Sequence, residues 1–385
     1  MEWPTKKLSD IYENLDSKRV PITKKDRIEG PYPYYGASGV VDSVSDYLFD
    51  EDLLLVSEDG ANLLARTYPI AFSISGKTWV NNHAHVLRFP SLVSQRFVEY
   101  YLNSISLRDY VSGMAQPKLN KKSLNLIPIP DPEHQVKSKV VELLDKAFAD
   151  IDQARLNTEK NLRNARELFD SYLQQMFSEC GDYWEETNLG AISELKNGLN
   201  YTQSSKGELV KIVGVKNFKD KFYISNDELD TVQIDGTLSE AYHAKDGDIF
   251  IVRSNGNKAL IGRSVLAKGV TGKVSHSGFT IRVRLSSSAI LPSYLTHYLK
   301  SKHVHNLLIR SGEGANISSL NQKALSSLPV RFPERNEQLR LVHDIEAIQS
   351  KTMALVDVYQ QKLAALDELK QSLLQQAFTG QLTQG

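Results

Sequence analysis

Residues 133–178 read EHQVKSKVVELLDKAFADIDQARLNTEKNLRNARELFDSYLQQMFS and contain neither proline nor glycine. Apolar residues recur along this stretch at steps of mostly three and four, at Val136, Val140, Leu143, Ala147, Ile151, Ala154, Leu162, Ala165, Phe169, Tyr172 and Met176. This spacing predicts one long amphipathic helix. Residues 337–378 show the same pattern. A helix of about 40–45 residues is about 60–65 Å long. It cannot bury its apolar stripe inside a compact domain, so each helix needs a partner of similar length.

The two predicted helices are expected to pack on each other. The first leaves one strand-rich region and arrives at another, and the second leaves that other region. A packed pair must therefore run antiparallel, with one domain held at each end. The alternative is two separate domains whose helices pack elsewhere, for instance in another subunit. The matched lengths and apolar stripes favour the antiparallel pair.

The chain repeats its own motifs, and the copies occur in the same order. Each half begins with W-x4-L-x2-I and continues through a variable part to L-N-x-K-x-L. A run with prolines follows, which suits only an edge strand, and then the long helix ends in L-Q-Q-x-F. The paired positions are Trp3 and Trp184, Leu119 and Leu320, Pro128 and Pro329, and Leu173 and Leu374. The shift grows from 181 to 201 residues, so the second variable part is longer.

The variable parts predict mixed, strand-rich domains. Short β-prone runs at 53–56, 249–252 and 279–284 are separated by Gly, Asn and Asp turns, and short helices are expected at 95–104 and 293–302. The predicted fold class is α+β, with two strand-rich α/β-mixed domains, two long helices forming an antiparallel coiled coil, and a pseudo-twofold internal duplication. The predicted boundaries are 1–132 for the first domain, 133–180 for the central helix, 181–333 for the second domain and 334–385 for the C-terminal helix.

Composition bounds the classes of protein that the chain can belong to. Its 385 residues are 41% hydrophobic and 24% charged, which is typical of a folded protein. No run approaches 18 apolar residues and the N-terminus lacks the apolar core of a signal peptide, so we expect a cytoplasmic protein without a membrane span. The lone Cys180 excludes an internal disulfide and a cysteine-based metal cage.

Charge is balanced over the chain and uneven along it. Basic and acidic residues number 46 each, but residues 181–333 hold 19 basic against 14 acidic side chains. No segment has the charge of a strong stand-alone nucleic-acid binder. If the chain holds DNA, partners must supply much of the phosphate neutralisation.

A search for catalytic motifs finds none that is persuasive. There is no phosphate loop, no dinucleotide-binding fingerprint and no Asn-Pro-Pro-aromatic tetrapeptide of amino-methyltransferases. The pairs His83/His85 and His303/His305 lack neighbouring carboxylate or cysteine motifs, so they are interpreted as ordinary polar residues and no metal site is expected. The E-x-K triplets at Glu194 and Glu368 are interpreted as chance. The sequence therefore predicts no catalytic residue and no bound cofactor.

Polar, glycine-rich loops carry the side chains best suited to DNA. Asn and Gln can pair with adenine, Arg and Lys with guanine, and hydroxyls with phosphates. The alternative is ordinary turn chemistry, although the loops recur at similar places in both halves. The predicted DNA-binding residues are Tyr34, Tyr35, Ser38, Asn62, Lys77, Asn81, Asn82, His83, Gln116, Lys118, Lys216, Asn217, Arg253, Asn255, Lys258, His276 and Asn316.

At this point the chain resembles the specificity (S) subunit of a Type I restriction–modification enzyme over nearly its whole length. The residues that carry the likeness are the duplicated W-x4-L-x2-I, Tyr34-Tyr35-Gly36-Ala37-Ser38-Gly39, the Gly113…Leu119-Asn120 and Gly312…Leu320-Asn321 loops, the junctions Pro132-Glu133-His134-Gln135 and Pro333-Glu334-Arg335-Asn336-Glu337-Gln338, and Gln376-Ala377-Phe378-Thr379-Gly380-Gln381-Leu382. One departure is that the first helix lacks the Thr-Gly-x-Leu tail after Phe177.

The resemblance implies a non-catalytic subunit in which each variable domain is a target recognition domain for one half of a bipartite double-stranded DNA site. The helices would set the gap and dock two methylation (M) subunits that carry S-adenosylmethionine, and motor-nuclease (R) subunits would complete an adenine-N6 methyltransferase and Type I site-specific deoxyribonuclease. The implied partner contacts are Phe177, Phe378, Gly380 and Leu382. Two alternatives stay open, namely an autonomous DNA-modifying enzyme and a protein-binding adaptor.

Overall fold

A computed structural model describes residues 3–113, 115–178, 181, 183–219, 221–311, 319–379 and 381–383. The chain forms two compact units. Unit 1 comprises Met1–Glu159 with Gln360–Gly385, and unit 2 comprises Lys160–Tyr359. Each unit therefore combines one strand-rich region with a segment of both long helices. Within the described ranges, no helix has a window apolar and long enough to cross a lipid bilayer.

Unit 1 contains two four-stranded sheets and one strand pair. Its strands are β1 (Thr5–Lys7), β2 (Glu13–Asn14), β3 (Tyr32–Gly36), β4 (Gly39–Val44), β5 (Phe49–Asp50), β6 (Leu53–Ser57), β7 (Ala71–Ile74), β8 (Lys77–Val80), β9 (Ala84–Arg88) and β10 (Pro128–Pro130). Its helices are α1 (Asn62–Ala65), α2 (Leu92–Ser104), α3 (Lys121–Asn125) and the first part of α4 (His134–Ser178). The sheet orders are β2-β9-β6-β7 and β4-β3-β8-β5. Strand β6 is buried along its whole length, which explains its continuous apolar run.

Unit 2 contains a five-stranded sheet, a three-stranded sheet and one strand pair. Its strands are β11 (Glu185–Asn188), β12 (Ser193–Asn197), β13 (Leu209–Val213), β14 (Tyr223–Ile224), β15 (Asp230–Gln233), β16 (Ile249–Val252), β17 (Ser264–Ala267), β18 (Val274–His276), β19 (Thr280–Leu285) and β20 (Pro329–Phe332). Its helices are α5 (Leu189–Ile192), α6 (Pro292–Lys300), α7 (Lys302–Ser311), α8 (Gln322–Ser326) and the first part of α9 (Arg335–Phe378). The last part of α4 also belongs to unit 2, and the last part of α9 belongs to unit 1. The sheet orders are β12-β19-β16-β17-β14 and β15-β13-β18.

The internal duplication predicted from the motifs is confirmed by the fold. In unit 1 the first strand pairs antiparallel with the proline strand, β1 with β10, and in unit 2 β11 pairs antiparallel with β20. Each L-N-x-K-x-L motif begins a short helix, because the side chain of Asn120 caps α3 and that of Asn321 caps α8. Both proline strands lie at the edge of a two-stranded pair, as their missing amide donors require.

The long helices run antiparallel. In unit 1 Arg155 of α4 forms an ion pair with Asp367 of α9, and Asp152 lies 3.2 Å from Lys370, so the numbering rises along one helix as it falls along the other. A shared apolar cluster includes Leu144, Phe148, Ile151, Leu374 and Ala377. In unit 2, residues from the end of α4 share a core with residues from the start of α9. The predicted antiparallel coiled coil is confirmed.

Several element bounds differ from the sequence prediction. Helix α2 starts three residues before the predicted 95, because Ser91 accepts a hydrogen bond from the Ser94 amide and caps the helix there. The helix predicted at 293–302 is two helices, since α6 ends at Lys300 and α7 begins at Lys302. The strand predicted to begin at Phe279 begins at Thr280, because Phe279 belongs to the preceding turn. The predicted boundaries between domains and helices stay a prediction, and the compact units divide each helix instead.

Candidate nucleic-acid interface

Four loops of unit 1 meet at one edge of its sheets. We call the loops 36–39, 57–62, 81–83 and 112–119 together edge 1. The Ser57 hydroxyl donates to the Ala37 carbonyl at 2.5 Å, and the Glu58 amide donates to the His83 carbonyl at 2.9 Å. The Leu119 amide donates to the Glu58 carbonyl at 2.8 Å. These backbone contacts bring loops from distant parts of the sequence into one surface.

Edge 1 exposes five of the predicted DNA-binding side chains. They are Ser38, Asn82, His83, Gln116 and Lys118. The His83 ring lies 2.8 Å from the Asp59 carboxylate, and the Lys118 ammonium lies 3.2 Å from Glu58. The Lys118 ammonium is therefore held close to a carboxylate, which lowers its contribution to a positive field.

Other residues predicted in unit 1 support the loops from inside. Tyr34 is buried, and its hydroxyl accepts a hydrogen bond from the Ile22 amide at 3.0 Å. Asn62 and Asn81 are buried too, and each accepts a hydrogen bond from backbone a few residues ahead, as asparagines do in tight turns. Such side chains shape the edge and do not reach its surface.

Two predicted residues of unit 1 lie away from the rest. Lys77 stands at the start of β8, whose other end leads into edge 1, and its ammonium lies 4.7 Å from the centre of the Tyr47 ring. Tyr35 is half-buried and its ring lies 6.2 Å from that of Phe72. The structure therefore does not bring Lys77 together with the edge 1 loops.

A charged network lies beneath edge 1. The buried His85 ring contacts the Asp16 carboxylate at 2.7 Å through Nδ1, and its Nε2 donates to the Leu119 carbonyl at 2.7 Å. Arg19 joins the same network through Glu58 at 2.7 Å. Burial alone would raise the pKa of Asp16, but hydrogen bonds from His85, a backbone amide and an asparagine side chain lower it to about 2. The network ties the N-terminal segment to the loop that ends at Leu119.

An equivalent edge is built in unit 2. We call the loops 197–201, 213–217, 253–258 and 276–279 together edge 2. The Leu199 amide donates to the His276 carbonyl at 2.8 Å, and the Arg253 amide donates to the Phe279 carbonyl at 2.9 Å. The Leu320 amide donates to the Arg253 carbonyl at 2.7 Å. This is the pattern that Leu119, Glu58 and His83 make in edge 1.

The predicted residues of unit 2 divide in the same way. Asn217 is buried and its amide bridges the Gly214 amide and the Glu228 carbonyl, each at 2.8 Å. His276 is buried too, and burial lowers its pKa to about 3, so it is neutral at ordinary pH. Both residues are parts of the core.

Edge 2 carries a different set of accessible side chains. Lys216 is exposed and forms an ion pair with Asp230, and Lys258 is also exposed. Asn255 is half-buried and accepts a hydrogen bond from the amide two residues ahead at 2.8 Å. The predicted Asn316 lies outside the described residues.

Sequence reasoning missed Phe279. Its side chain is 60% exposed in the middle of edge 2, at the position that His83 holds in edge 1. The available signal was an aromatic residue directly after the turn pair Ser277-Gly278, at the start of a predicted strand. A search for polar residues that can contact DNA does not select an aromatic side chain of this kind.

Known proteins with the same sequence features are specificity subunits. The sequence model of the Type I restriction modification DNA specificity domain matches residues 1–160. A protein named as a type I restriction enzyme specificity subunit in Haemophilus influenzae is 26% identical over 366 residues, covering 93% of this chain and 90% of that protein. The StySPI specificity subunit of Salmonella potsdam is 26% identical over 347 residues, covering 82% and 74%. The chain is therefore similar to Type I restriction enzyme specificity subunits over most of its length.

A solved structure shares the fold of this chain. It comes from work on complex assembly and conformational transition of the type I R-M system, and it matches with a TM-score of 0.70 at 15% sequence identity. The match covers 99% of this chain and 98% of that one. At this identity the likeness shows the fold alone.

The specificity-subunit resemblance implied partner contacts at the helix ends, where the structure shows internal packing. The Phe177 ring is buried with its centre 5.7 Å from that of Tyr294 and 5.3 Å from that of Tyr298. The two tyrosines are four residues apart on α6, so they present adjacent rings on one face. Phe177 therefore anchors the end of α4 in unit 2.

The end of α9 is anchored in unit 1 by the same arrangement. The Phe378 ring lies 5.2 Å from those of Phe97 and Tyr101, which are four residues apart on α2. Leu382 is half-buried against the same apolar cluster. The implied contact Gly380 lies outside the described residues.

Titratable side chains do not gather into a metal centre in the part of the chain that the structure describes. No group of three or more His, Cys, Asp or Glu there could hold a metal ion. His83 and His85, which share a short sequence motif, face separate carboxylates, Asp59 and Asp16.

Proposed function

We propose that this chain is the non-catalytic DNA-recognition subunit of a Type I restriction–modification complex, and that edge 1 and edge 2 each read one half of a bipartite site. The observation that carries the proposal is that one loop architecture is built twice with different side chains. His83 and Glu58 in edge 1 occupy the positions of Phe279 and Arg253 in edge 2. Two readers with the same scaffold and different surfaces suit two half-sites of different sequence.

The two long helices would fix the unread gap between the half-sites. Half-site spacing follows protein geometry in other two-headed DNA readers. Helix α4 has 45 residues and α9 has 44, and each contributes to both compact units. Continuous helices of equal length are suited to setting a constant distance.

Partner subunits would carry out the chemistry. Two methylation subunits with bound S-adenosylmethionine would dock on the two halves and methylate adenine N6 after flipping the base, and motor-nuclease subunits would add cleavage. The internal duplication supports two docking positions, since each half repeats the same strand pair and helix cap. The balanced charge of 46 basic and 46 acidic residues supports a role for partners in neutralising phosphates. In this role the protein acts in the cytoplasm.

Reconstitution with the methylation subunit tests the proposal. The complex is supplied with S-adenosylmethionine and random-sequence duplex DNA, and the modified adenines are mapped by sequencing. We expect one two-part sequence with a constant gap. Gln116→Ala and Asn82→Ala in edge 1 should relax the preference in one half only, and Asn255→Ala in edge 2 should relax the other.

Three outcomes would contradict the proposal. One is methylation without sequence preference by the complete complex. Another is a change in both half-sites caused by a substitution in a single edge. The third is methyl transfer or DNA cleavage by the purified chain alone, which would favour an autonomous enzyme.

A further inference from the structure

We propose that Phe279 is a specificity-determining residue of edge 2, which makes an apolar contact with a base in the half-site that unit 2 reads. The inference rests on the proposed function and adds to it a named apolar base contact. It is carried by the exposure of the ring, the rigidity of its turn and the neighbouring Arg253.

The turn that carries Phe279 is fixed on both sides. The Leu199 amide donates to the His276 carbonyl at 2.8 Å, and the Gly278 amide donates to the Leu199 carbonyl at 2.7 Å. The Thr280 amide closes the turn on the Ser277 carbonyl at 2.9 Å. The ring is therefore presented from a backbone that is already ordered, which lowers the entropic cost of forming a contact.

Close packing leaves this turn little freedom to rearrange. A Cβ atom at Gly278 would collide with the side-chain oxygen of Asn200, and one at Gly198 would collide with the backbone oxygens of His276 and Ser277. The two chain segments approach each other as closely as glycine permits. The position of the Phe279 backbone is thus set by the fold itself.

The exposure of the ring calls for an explanation. Phe279 is 60% exposed, so most of its aromatic surface is in contact with water. Burying that surface against a partner would be favourable by about 25 cal/mol for each Å² of apolar area removed from water. Isolated exposed apolar residues are common on protein surfaces. Phe279 differs because it stands on a rigid turn among the polar loops of edge 2, where a partner is expected.

Arg253 is the backbone neighbour of Phe279 in edge 2, since its amide donates to the Phe279 carbonyl at 2.9 Å. Its amide and carbonyl both take part in the backbone contacts of edge 2, so its position is fixed. Its Nε is buried and has no hydrogen-bond partner among the described residues. An arginine side chain is suited to guanine O6 and N7 or to a phosphate.

The corresponding positions of edge 1 show how the two readers differ. There His83 faces Asp59 at 2.8 Å, and Glu58 is held by Arg19 at 2.7 Å. Edge 1 therefore offers hydrogen-bonding groups already engaged in a network. Edge 2 offers an exposed apolar ring, which suits the methyl group of thymine or the face of an unstacked base.

The test uses the reconstituted complex with its methylation subunit and three variants, Phe279→Ala, Phe279→Leu and Leu209→Ala. Leu209 is a matched control because it is 63% exposed in unit 2 and begins β13, whose opposite end leads into edge 2. Initial methylation rates are measured on the preferred duplex and on a panel with one base pair changed at a time. Thermal unfolding of each variant confirms that it is folded.

We expect Phe279→Ala to slow methylation of the preferred duplex about tenfold, the size of effect of losing one base contact. The variant should methylate duplexes changed at one or two base pairs of the second half-site as fast as it methylates the preferred duplex. Its preference at every base pair of the first half-site should stay unchanged. Phe279→Leu should keep the discrimination, since it preserves apolar contact, and Leu209→Ala should match the wild type.

Two results would overturn the inference. One is full discrimination by Phe279→Ala at every base pair, and the other is an equal loss on every duplex of the panel, since neither fits a base-specific contact. Failure of the proposed function would look different, because the wild-type complex itself would then show no bipartite preference.

Discussion

Asp16 and His85 show how single side chains hold the surface of edge 1 from below. Asp16 accepts hydrogen bonds from the His85 ring at 2.7 Å and from the Val86 amide at 2.8 Å. The other nitrogen of His85 donates to the Leu119 carbonyl, at the end of the exposed loop. An ionised, buried carboxylate is stable here because every contact compensates part of its lost hydration.

The pH dependence of stability should report this carboxylate. Folding lowers the pKa of Asp16 from its ordinary 3.8 to about 2, so its stabilising contribution is fully present above about pH 4 and is lost as the pH falls towards 2. We expect Asp16→Asn to destabilise unit 1 by about 2 kcal/mol at neutral pH. The difference in the free energy of unfolding between Asp16→Asn and the wild type should become smaller as the pH falls from about 4 towards 2.

Tryptophan fluorescence makes this measurement local. Only three tryptophans are present, Trp3 and Trp79 in unit 1 and Trp184 in unit 2, so a Trp184→Phe background reports on unit 1 alone. Denaturant unfolding is followed at several pH values. An Asp16→Asn effect that is constant from pH 7 to pH 2 would contradict the assigned role.

The residue scale is where sequence reasoning succeeded least. Asn62, Asn81 and Asn217 were selected as DNA-capable side chains, yet all three are buried and accept hydrogen bonds from backbone amides two to five residues away. Asparagine serves tight turns and adenine contacts with the same amide group, so residue type does not separate the two uses. Phe279 was missed because only the folded turn shows that its ring is exposed.

At the scale of elements, the helix ends repeat one packing device. Each long helix ends in a phenylalanine that packs edge-on against two aromatic rings one turn apart on a shorter helix. Such pairs add about 0.5–1.5 kcal/mol beyond the burial of their area. The device positions the last turn of each helix within its unit.

Removing a ring should therefore destabilise the isolated chain. We expect Phe177→Ala to cost unit 2 about 3–5 kcal/mol, because the ring is buried, and Phe378→Ala to cost unit 1 less, because that ring is half-buried. The control is Leu168→Ala, which is 53% exposed on the same helix as Phe177. Unfolding of unit 2 is followed by Trp184 in a background without Trp3 and Trp79, and unfolding of unit 1 is followed by Trp3 and Trp79 in a Trp184→Phe background. Unchanged stability in Phe177→Ala would point to a role confined to partner binding.

The asparagine caps give a second test at this scale. Asn120→Ala should destabilise unit 1, and Asn321→Ala should destabilise unit 2, by about 1 kcal/mol each, because each removes the hydrogen bond that starts a short helix. Because the two residues lie in different units, their effects should add in the double variant. Lys122→Ala, an exposed change on α3, serves as the control. A stability loss in the wrong unit would contradict the assignment.

Most elements could be predicted from the sequence because their signals are local. The predicted long helices end at Ser178 and Phe378, as in the structure, since periodicity and the absence of proline act within each stretch. The split between α6 and α7 was missed. Nothing in the apolar pattern of residues 293–311 marks the break at Ser301, which becomes visible only through its capping contacts.

At the scale of the whole molecule, the duplicated motifs predicted two equivalent halves, but not the way the chain is shared between compact units. Sequence reasoning treated each helix as a separate segment, whereas the structure assigns the start of α4 and the end of α9 to unit 1. That division depends on long-range contacts such as Arg155 with Asp367. Residues more than 200 positions apart leave no local pattern that would indicate such a pair.

The spacing role of the helices can be tested by lengthening them together. Inserting four residues after Glu159 and four after Tyr359 adds about 6 Å to each helix. Since DNA rises about 3.4 Å for each base pair, the gap in the methylated site should grow by at least one base pair. Mapping of modified adenines measures the gap. An insertion in one helix only is the control, and it should impair folding because the seam loses its register. A constant gap in the doubly lengthened protein would remove the spacing role.

Unit 1 is built from two separate segments, Met1–Glu159 and Gln360–Gly385, and this affects the order in which the two units can fold during translation. The ribosome translates all of unit 2 before it translates the C-terminal segment of unit 1. Unit 2 can therefore complete its folding before unit 1, although most of unit 1 is translated first. Phe97 and Tyr101 can pack against Phe378 only after all of unit 2 has been translated. A premature stop codon near position 360 would therefore leave unit 2 intact and prevent unit 1 from completing its fold, although unit 1 contains the N-terminal part of the chain.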